Sequence, residues 1–584
     1  MKKLFLTLAL VGSVLFASRV SACTNFIITK GASTSGSCMV TYAADSHTLY
    51  GELYFMPAAD HPAGSFRDVI EWDSGKLLGQ IPEVAHTYSV VGNMNEHQLV
   101  IGETTYGGRS ELWKTPGLID YGSLIYITLQ RAKNAREAIK VISGLLDAYG
   151  YCSEGESFSI ADPNEAWIFE LIGKGEEMKD AKGKIVKGWS NGAVWVARRI
   201  PDGYISGHAN QARITTFPLR DGKTSITNKE IDKIFLPDIN TVYSHDVISF
   251  AKLKGYYPKD ADDAQFSFCD AYAPVDFEAA RFCEARVWMA FYRCSPGQMA
   301  QYEDYARGDN LNNRFPLWIK PDKKLEVQDV MQLMRDHYEG SSMDMTKDLG
   351  AGPYACPYRW RPMTWEYQGK AYIHERATAT QQTGFSFVAQ CRPNMPDGFG
   401  GILWFGVDDT YSTCYVPIFC GCTQVPHCFK VGNGDLMTYS PTSAFWLFNQ
   451  VSNFAYLRYN AMIKDVQKVQ SELETNFIQL VKEQSGVLAD QYVANHEKGI
   501  EALNKFSSNQ ASIMFNRWKS LSQYLLVKYM DGNIKKEKGG RFLDNGNDEH
   551  IPASPDQPRY PDWFYKAIID DIGNNIQDLT PEKK

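Results

Sequence analysis

A cysteine stands where an export signal ends and a strand begins, and this junction constrains the chain more than any other feature. Lys2 and Lys3 supply a positive start, "LFLTLALVGSVLFA" an apolar run, and Val20-Ser21-Ala22 a small-residue cleavage site. The apolar run is shorter than the roughly 18–20 residues of a membrane anchor. Residues 1–22 are therefore expected to be removed, leaving a mature chain that begins at Cys23. That chain is expected to be exported, periplasmic or extracellular, with no stable membrane insertion. Cys23 does not lead into a polar tether: "TNFIIT" (24–29) reads as a short strand beginning at the cleavage point. After the turn-rich "KGASTSG" comes a second strand, "SCMVTYAAD" (37–45).

Cleavage after Ala22 puts a thiol and a free α-amine on one residue. The amine has a reference pKa of about 7.7–8.0 and the thiol of about 8.5. One residue can then supply both nucleophile and general base, a recognised activation route for N-terminal nucleophiles. The same four residues, Val20 to Cys23, also fit a lipobox, in which Cys23 would carry lipid. The strand that starts at once after Cys23 favours a cysteine built into the fold.

Further along, "TYSVVGNMNEHQLVIGETT" reads as two strands around a polar turn at Asn93–His97. "SFSIADPNEAWIFELIG" reads as two strands joined at Asp162–Glu165, and "AVWVARRIPDGYISGHAN" repeats the pattern around Pro201-Asp202-Gly203. "QRAKNAREAIKVISGLLDAYG" has helical spacing and stops at Gly150. Segments near 277–293 and 325–338 read likewise. A strand-rich block (371–419) precedes a helical region at 441–530, expected as an αα pair bent at "EQSGVLAD", and an irregular tail at 531–584. Strands first, helices interleaved and a helical C-terminal region imply an α+β layered fold. A net charge of −8 and a pI near 5.8 argue against nucleic acid, which needs a basic face. Of 12 cysteines, setting Cys23 aside leaves an odd number, so the remainder cannot all pair within one chain. Cys420-Gly-Cys422 lacks the C-x-x-C spacing of zinc ribbons, and there is no H-E-x-x-H, so no metal is expected.

The ordered strings "CTNFIITKGASTSGSCMVTYAADSHTLYG", "GNMNEHQLVIGETT", "GESFSIADPNEAWIFELIG", "WSNGAVWVARRIPDGYISGHANQARI", "FEAARFCEARVWMAF", "ERATATQQTGFSFVAQCR" and "GGILWFGVDDTYSTCYVPIF" cover about 23–420. Together they resemble the secreted cysteine dipeptidases of the N-terminal-nucleophile (Ntn) hydrolase superfamily, relatives of the penicillin V acylases and bile-salt hydrolases. The resemblance implies a four-layer αββα sandwich over 23–440 with helical C-terminal additions, Cys23 at the end of a central strand, small peptide substrates with a free amino terminus, and no cofactor. It also implies a supporting set of residues. The superfamily's Arg-x-x-Asp pair on the second strand corresponds to Tyr42-Ala43-Ala44-Asp45, so Asp45 matches and Tyr42 stands where the arginine would. Tyr42 is carried as a substrate-side residue instead. Asn95 and Asn210 match asparagines near the nucleophile, where donors for an oxyanion are wanted. Arg286 matches an arginine facing the site, with Arg281 as its rival. Glu103, in "GETT", is the candidate partner for a substrate's ammonium. Plainer roles are a hairpin turn for Asn95, a strand-end cap for Asn210, a solvent-facing helix position for Arg286, and solvated acids for Asp45 and Glu103.

Gly188-Trp189-Ser190-Asn191-Gly192 fits G-x-S-x-G, but a nucleophile elbow needs a strand before it and a helix after it. Here "DAKGKIVK" precedes and a strand-like run comes next, so Ser190 reads as a turn residue. The competing functions are an N-acyl amidase of the penicillin V acylase type and a lipid-anchored envelope binding protein. Assembly as a homo-oligomer stays open.

Overall fold

A computed structural model describes residues 23–359, 364–546 and 550–575. The export signal expected at 1–22 lies outside them. The chain enters the fold at once. β1 (Asn25–Ile28) begins two residues after Cys23, and β2 (Cys38–Asp45) returns antiparallel beside it, with Ile27 opposite Val40. Both are buried along their whole length, which is why they read as near-continuous apolar runs.

β3 (Val100–Gly107), β4 (Gly155–Ala161), β5 (Ala166–Gly173) and β6 (Ala193–Arg199) form an antiparallel meander at the centre of a nine-stranded sheet. β7 (Ile205–His208) crosses to the other sheet and pairs with β1, Asn25 opposite His208. β8 (Thr383–Cys391) flanks β2 on its other side, followed by β9 (Gly401–Val407) and β10 (Val416–Phe419), in a seven-stranded sheet. β1 and β2 are thus central strands.

The two sheets are joined by polar contacts across their interface. His208 on β7 hydrogen-bonds Thr104 on β3 and Ser159 on β4, each at 2.7 Å. Burial pushes this imidazole down to about 3, so it stays neutral. Helices α1 (Tyr121–Leu129) and α2 (Ala135–Tyr149) share a core with the nine-stranded sheet, Ile139, Ile142 and Leu146 clustering with Phe158, Trp167 and Trp195. α2 starts where the Asn134 side chain accepts from the Glu137 N–H and stops at Gly150, whose φ of 73° suits glycine. Helix α3 (Ala285–Cys294) packs near β7 and is preceded by a π-helical turn over Ala279–Glu284.

The C-terminal region departs from its expected form. Three helices replace the αα pair: α4 (Ala444–Leu457), α5 (Tyr459–Ala494) and α6 (His496–Tyr529). α5 runs straight through "EQSGVLAD", and the reversal falls at Asn495, whose side chain accepts from the Lys498 N–H. The tail carries a short hairpin (Glu537–Lys538 with Arg541–Phe542) and a helix, Asp562–Ile572, rather than irregular chain alone. Among the described residues, no helix is long and apolar enough to cross a membrane.

Candidate active site

Cys23 is only 3% exposed, and its neighbours are polar. Its sulfur lies 3.5 Å from Glu103 Oε1 and 3.7 Å from the Tyr42 hydroxyl, which itself donates to the same carboxylate. Tyr42 comes from β2, one strand over. Glu103 comes from β3 in the other sheet, and the reason it is available is a bare strand edge. On that side, β3 pairs with its neighbour only as far as Val100. Beyond that point the edge carbonyls need other donors. Asn25 Nδ2 donates to Glu103 O at 2.5 Å, and Asn210 Nδ2 to Thr105 O at 2.6 Å. Two asparagine side chains from the seven-stranded sheet's side thus replace a missing strand and leave room for Cys23.

The other wall is cationic. Arg286, fully buried on α3, donates to Cys23 O at 2.7 Å, Thr24 Oγ1 at 2.8 Å and Asn210 Oδ1 at 2.9 Å. It fixes the backbone of Cys23 and the amide of Asn210 together. Asn210 follows β7 in the left-handed region, φ 58°, a conformation that asparagine tolerates better than most residues. Asp45, at the end of β2, is clamped by Arg376 Nη2 and Thr383 Oγ1, both at 2.6 Å. Arg376 Nη1 also approaches Asn210 Oδ1 at 3.5 Å. Tyr42 brings no cation to the position of the family arginine. Arg376, from the segment before β8, brings one to the same carboxylate.

Burial sets the electrostatics. It pushes the Cys23 thiol well above its ordinary value, and the charges of Glu103 and Asp45 push the same way. Hydrogen bonding with the Asp45 backbone and the Tyr42 hydroxyl opposes them. Burial raises Asp45 to about 6 against the pull of Arg376, Thr383 and Arg286. Burial and the nearby Arg286 lower Arg376 to about 10, while Asp45 and Cys23 oppose that shift. A thiolate here needs a proton acceptor and the nearby guanidinium groups before it forms at neutral pH.

Six of the sequence candidates therefore meet: Cys23, Tyr42, Asp45, Glu103, Asn210 and Arg286. Asn95 does not. Both hydrogens of its Nδ2 go to the Leu129 and Ala132 carbonyls at 2.7 Å, and its Oδ1 accepts from the His97 and Leu99 N–H groups. It is the hairpin's turn residue, bound to the end of α1, with no donor left for an oxyanion. Arg281 pairs with Glu375 at 3.3 Å and leaves the contact with Cys23 to Arg286. Ser190 is an exposed loop residue whose Oγ accepts from Lys174, with neither strand before nor helix after it. Sequence reasoning missed Arg376 and Thr383. Arg376 lies within "ERATATQQTGFSF", but its role depends on β8 pairing with β2, which no local pattern announces.

Residues 22–472 match the family model described as peptidase family C69. A protein called "Probable dipeptidase" from Latilactobacillus sakei is 23% identical over 82% of this chain and 92% of its own length. One of the same description from Salmonella dublin is 23% identical over 71% of this chain and 84% of its own. "Probable dipeptidase B" from Streptococcus pyogenes serotype M1 is 21% identical over 88% and 94%. The family match spans most of the chain and takes in Cys23 with every residue gathered around it, so this protein belongs to peptidase family C69 and is a cysteine-type peptidase.

Proposed function

We propose that the chain is an exported dipeptidase of the Ntn-hydrolase type, in which removal of residues 1–22 exposes Cys23 as both nucleophile and, through its α-amine, general base. The observation that carries the reading is the position of the Cys23 sulfur, buried between an acidic wall (Glu103 with Tyr42) and a cationic one (Arg286 and Arg376). Two stacked sheets with Cys23 entering a central strand fit the four-layer αββα arrangement. In this mechanism the amine takes the thiol proton and the thiolate attacks the peptide carbonyl. Asn210, with one N–H on Thr105 O, has a second for the oxyanion. The amine then protonates the leaving amine, and water hydrolyses the thioester. Arg286 and Asp45 position these groups.

The names of the relatives support a dipeptide substrate, and Glu103 is suited to its ammonium. Mature enzyme is expected to hydrolyse free dipeptides and to lose about 3 kcal/mol of transition-state binding, on the order of 10²-fold in kcat/KM, when the amino terminus is acetylated and a buried carboxylate is left without its cation. Equal rates on the two substrates, or preference for the acylated one, would establish an N-acyl amidase instead.

A lipid on Cys23 is disfavoured by the burial of its sulfur, since a thioether chain would have to leave the cluster it sits in. N-terminal sequencing and intact mass of the exported form are expected to read an unmodified Cys23 first. A mass raised by a diacylglyceryl group and an N-acyl chain would sink both the free thiol and the amine's role.

A further inference from the structure

Glu103 is not alone on its wall. Glu156, on β4, is fully buried, and its Oε1 accepts from Thr105 Oγ1 at 2.6 Å. Thr105 is opposite Glu156 in the β3–β4 register and two residues from Glu103. Across the β3–β4 register Glu156 is therefore diagonal to Glu103 on the same face of the sheet, and each carboxyl acts on the other's titration. The remaining oxygen of each, Oε2 in both, meets no other donor. Two carboxylates cannot share a buried site fully ionised, so one proton must lie between them. Glu103 also accepts from the Tyr42 hydroxyl and the Cys23 thiol, contacts that favour its charged form. Glu156 has only the threonine hydroxyl. The proton therefore belongs on Glu156.

We propose, resting on the dipeptidase reading above, that Glu156 is a positioning residue for recognition of the substrate's α-ammonium: as a neutral acid it donates to Glu103, so that the pair presents one negative charge, lodged beside the nucleophile, to one ammonium. The acceptor count fits. A carboxylate has about four acceptor positions; Tyr42 and Cys23 occupy two on Oε1 of Glu103, and the proton proposed on Glu156 takes a third on the otherwise unpartnered Oε2. One is left for the substrate. Glu103 retains slight exposure and Glu156 none, so the ammonium meets Glu103 while Glu156 acts from behind.

Burial pushes both carboxyls above the usual range, Glu156 further because the charge of Glu103 adds to it. Besides Glu156, the groups facing Glu103 are Cys23 and Tyr42 from the other sheet, Tyr121 and Tyr126 from α1, and Asp73 from the preceding loop, whose carboxylate accepts from the Tyr121 hydroxyl. Glu156 is faced by Tyr106, Tyr121, Tyr151 and Glu154. No side chain among these is a cation, so Glu103 relies on hydrogen-bond donors to hold its charge, and in this proposal Glu156 is one of them. As pH falls through the raised value of Glu103 the charge is lost, and free dipeptides bind less well. Removing the donor raises that value further.

The test is steady-state kinetics of the mature enzyme on a free dipeptide and its N-acetyl form, as a function of pH. Glu156→Leu is expected to raise KM for the free dipeptide about tenfold, leave kcat within about threefold, and move the acid limb of kcat/KM to higher pH. Glu156→Gln keeps an N–H donor and is expected to restore both. Thr105→Val, which frees Glu156 from its anchor, is expected to shift KM and the limb the same way by less, and decides the matter if the leucine variant does not fold. Wild-type KM and pH profile in both Glu156→Leu and Thr105→Val overturn the proposal. So does an equal loss on free and acetylated substrates, because Glu156 would then serve the nucleophile. A wild-type enzyme that prefers the acetylated substrate sinks the dipeptidase reading itself, and this role with it.

Discussion

Cys23→Ala is expected to give a folded protein without turnover. The side chain is small and its polar contacts are weak, since Glu103 keeps the Tyr42 hydroxyl when the sulfur is gone. The stability change should be no more than about 1 kcal/mol. The rate change is of another order. A hydrolase that loses its covalent nucleophile loses on the order of 10⁶-fold in kcat. Cys23→Ser retains the α-amine and a nucleophilic oxygen, but the hydroxyl is far less acidic than a thiol, so only a trace of activity is expected. Ser190→Ala serves as the control. Its hydroxyl is exposed, and its partner Lys174 keeps the Asp246 carboxylate at 2.6 Å, so activity and stability should stay near wild type. Circular dichroism and thermal melts alongside the assays separate chemistry from folding. A dead, folded Ser190→Ala beside an active Cys23→Ala would reverse the assignment.

The parts of this site that could be read from sequence are those set by local chemistry. The strand starting at residue 24, the turns at Asp162–Glu165 and Pro201–Gly203, and the helix ending at Gly150 all arise from short-range preferences, and they appear where those preferences put them. The cation beside Asp45 does not arise this way. Arg376 is 331 positions away from Asp45 and reaches it only because β8 lies against β2. A reading confined to β2 finds Tyr42 in the arginine's place and no replacement. Glu156 was hidden for a related reason: its meaning comes from register, which sets Thr105 opposite it and brings it to Glu103. Asn95 shows the converse. A resemblance suggested a donor, a turn preference suggested a hairpin residue, and the turn preference won because both amide hydrogens are already spent. In the C-terminal region, Ser485-Gly486 has the composition of a bend. A glycine within a helix costs only about 1 kcal/mol, and Ser485 donates back to Val481 O at 2.6 Å while accepting from Arg392 at 3.0 Å. Tertiary contact keeps the helix intact, and the chain turns at Asn495 instead.

Blocking the α-amine of Cys23 is expected to be as damaging as removing any auxiliary group. Among the described residues, the hydrogen-bond partners of the sulfur are Tyr42 and Glu103, and neither is a histidine. His208, although it sits opposite Asn25, has both ring nitrogens bound to Thr104 and Ser159 and stays neutral. Glu103 is close, but as a base it would give up the charge that the ammonium needs. The amine therefore remains the acceptor best matched to working pH, where a base is most effective. A fixed Met-Lys extension before Cys23 converts it to an amide, leaving the thiol in place without its base. General acid–base help contributes roughly 10²–10⁴-fold, so activity should fall by about that much or more, since the added backbone also crowds the cleft. The same extension with a cleavable junction provides the rescue, because trimming to expose Cys23 should restore turnover within one sample. Rescue separates loss of the amine from misfolding. Full activity in the blocked protein, shown by mass to be intact and by melting to be folded, would rule out the N-terminal-amine mechanism and leave Glu103 as the proton acceptor.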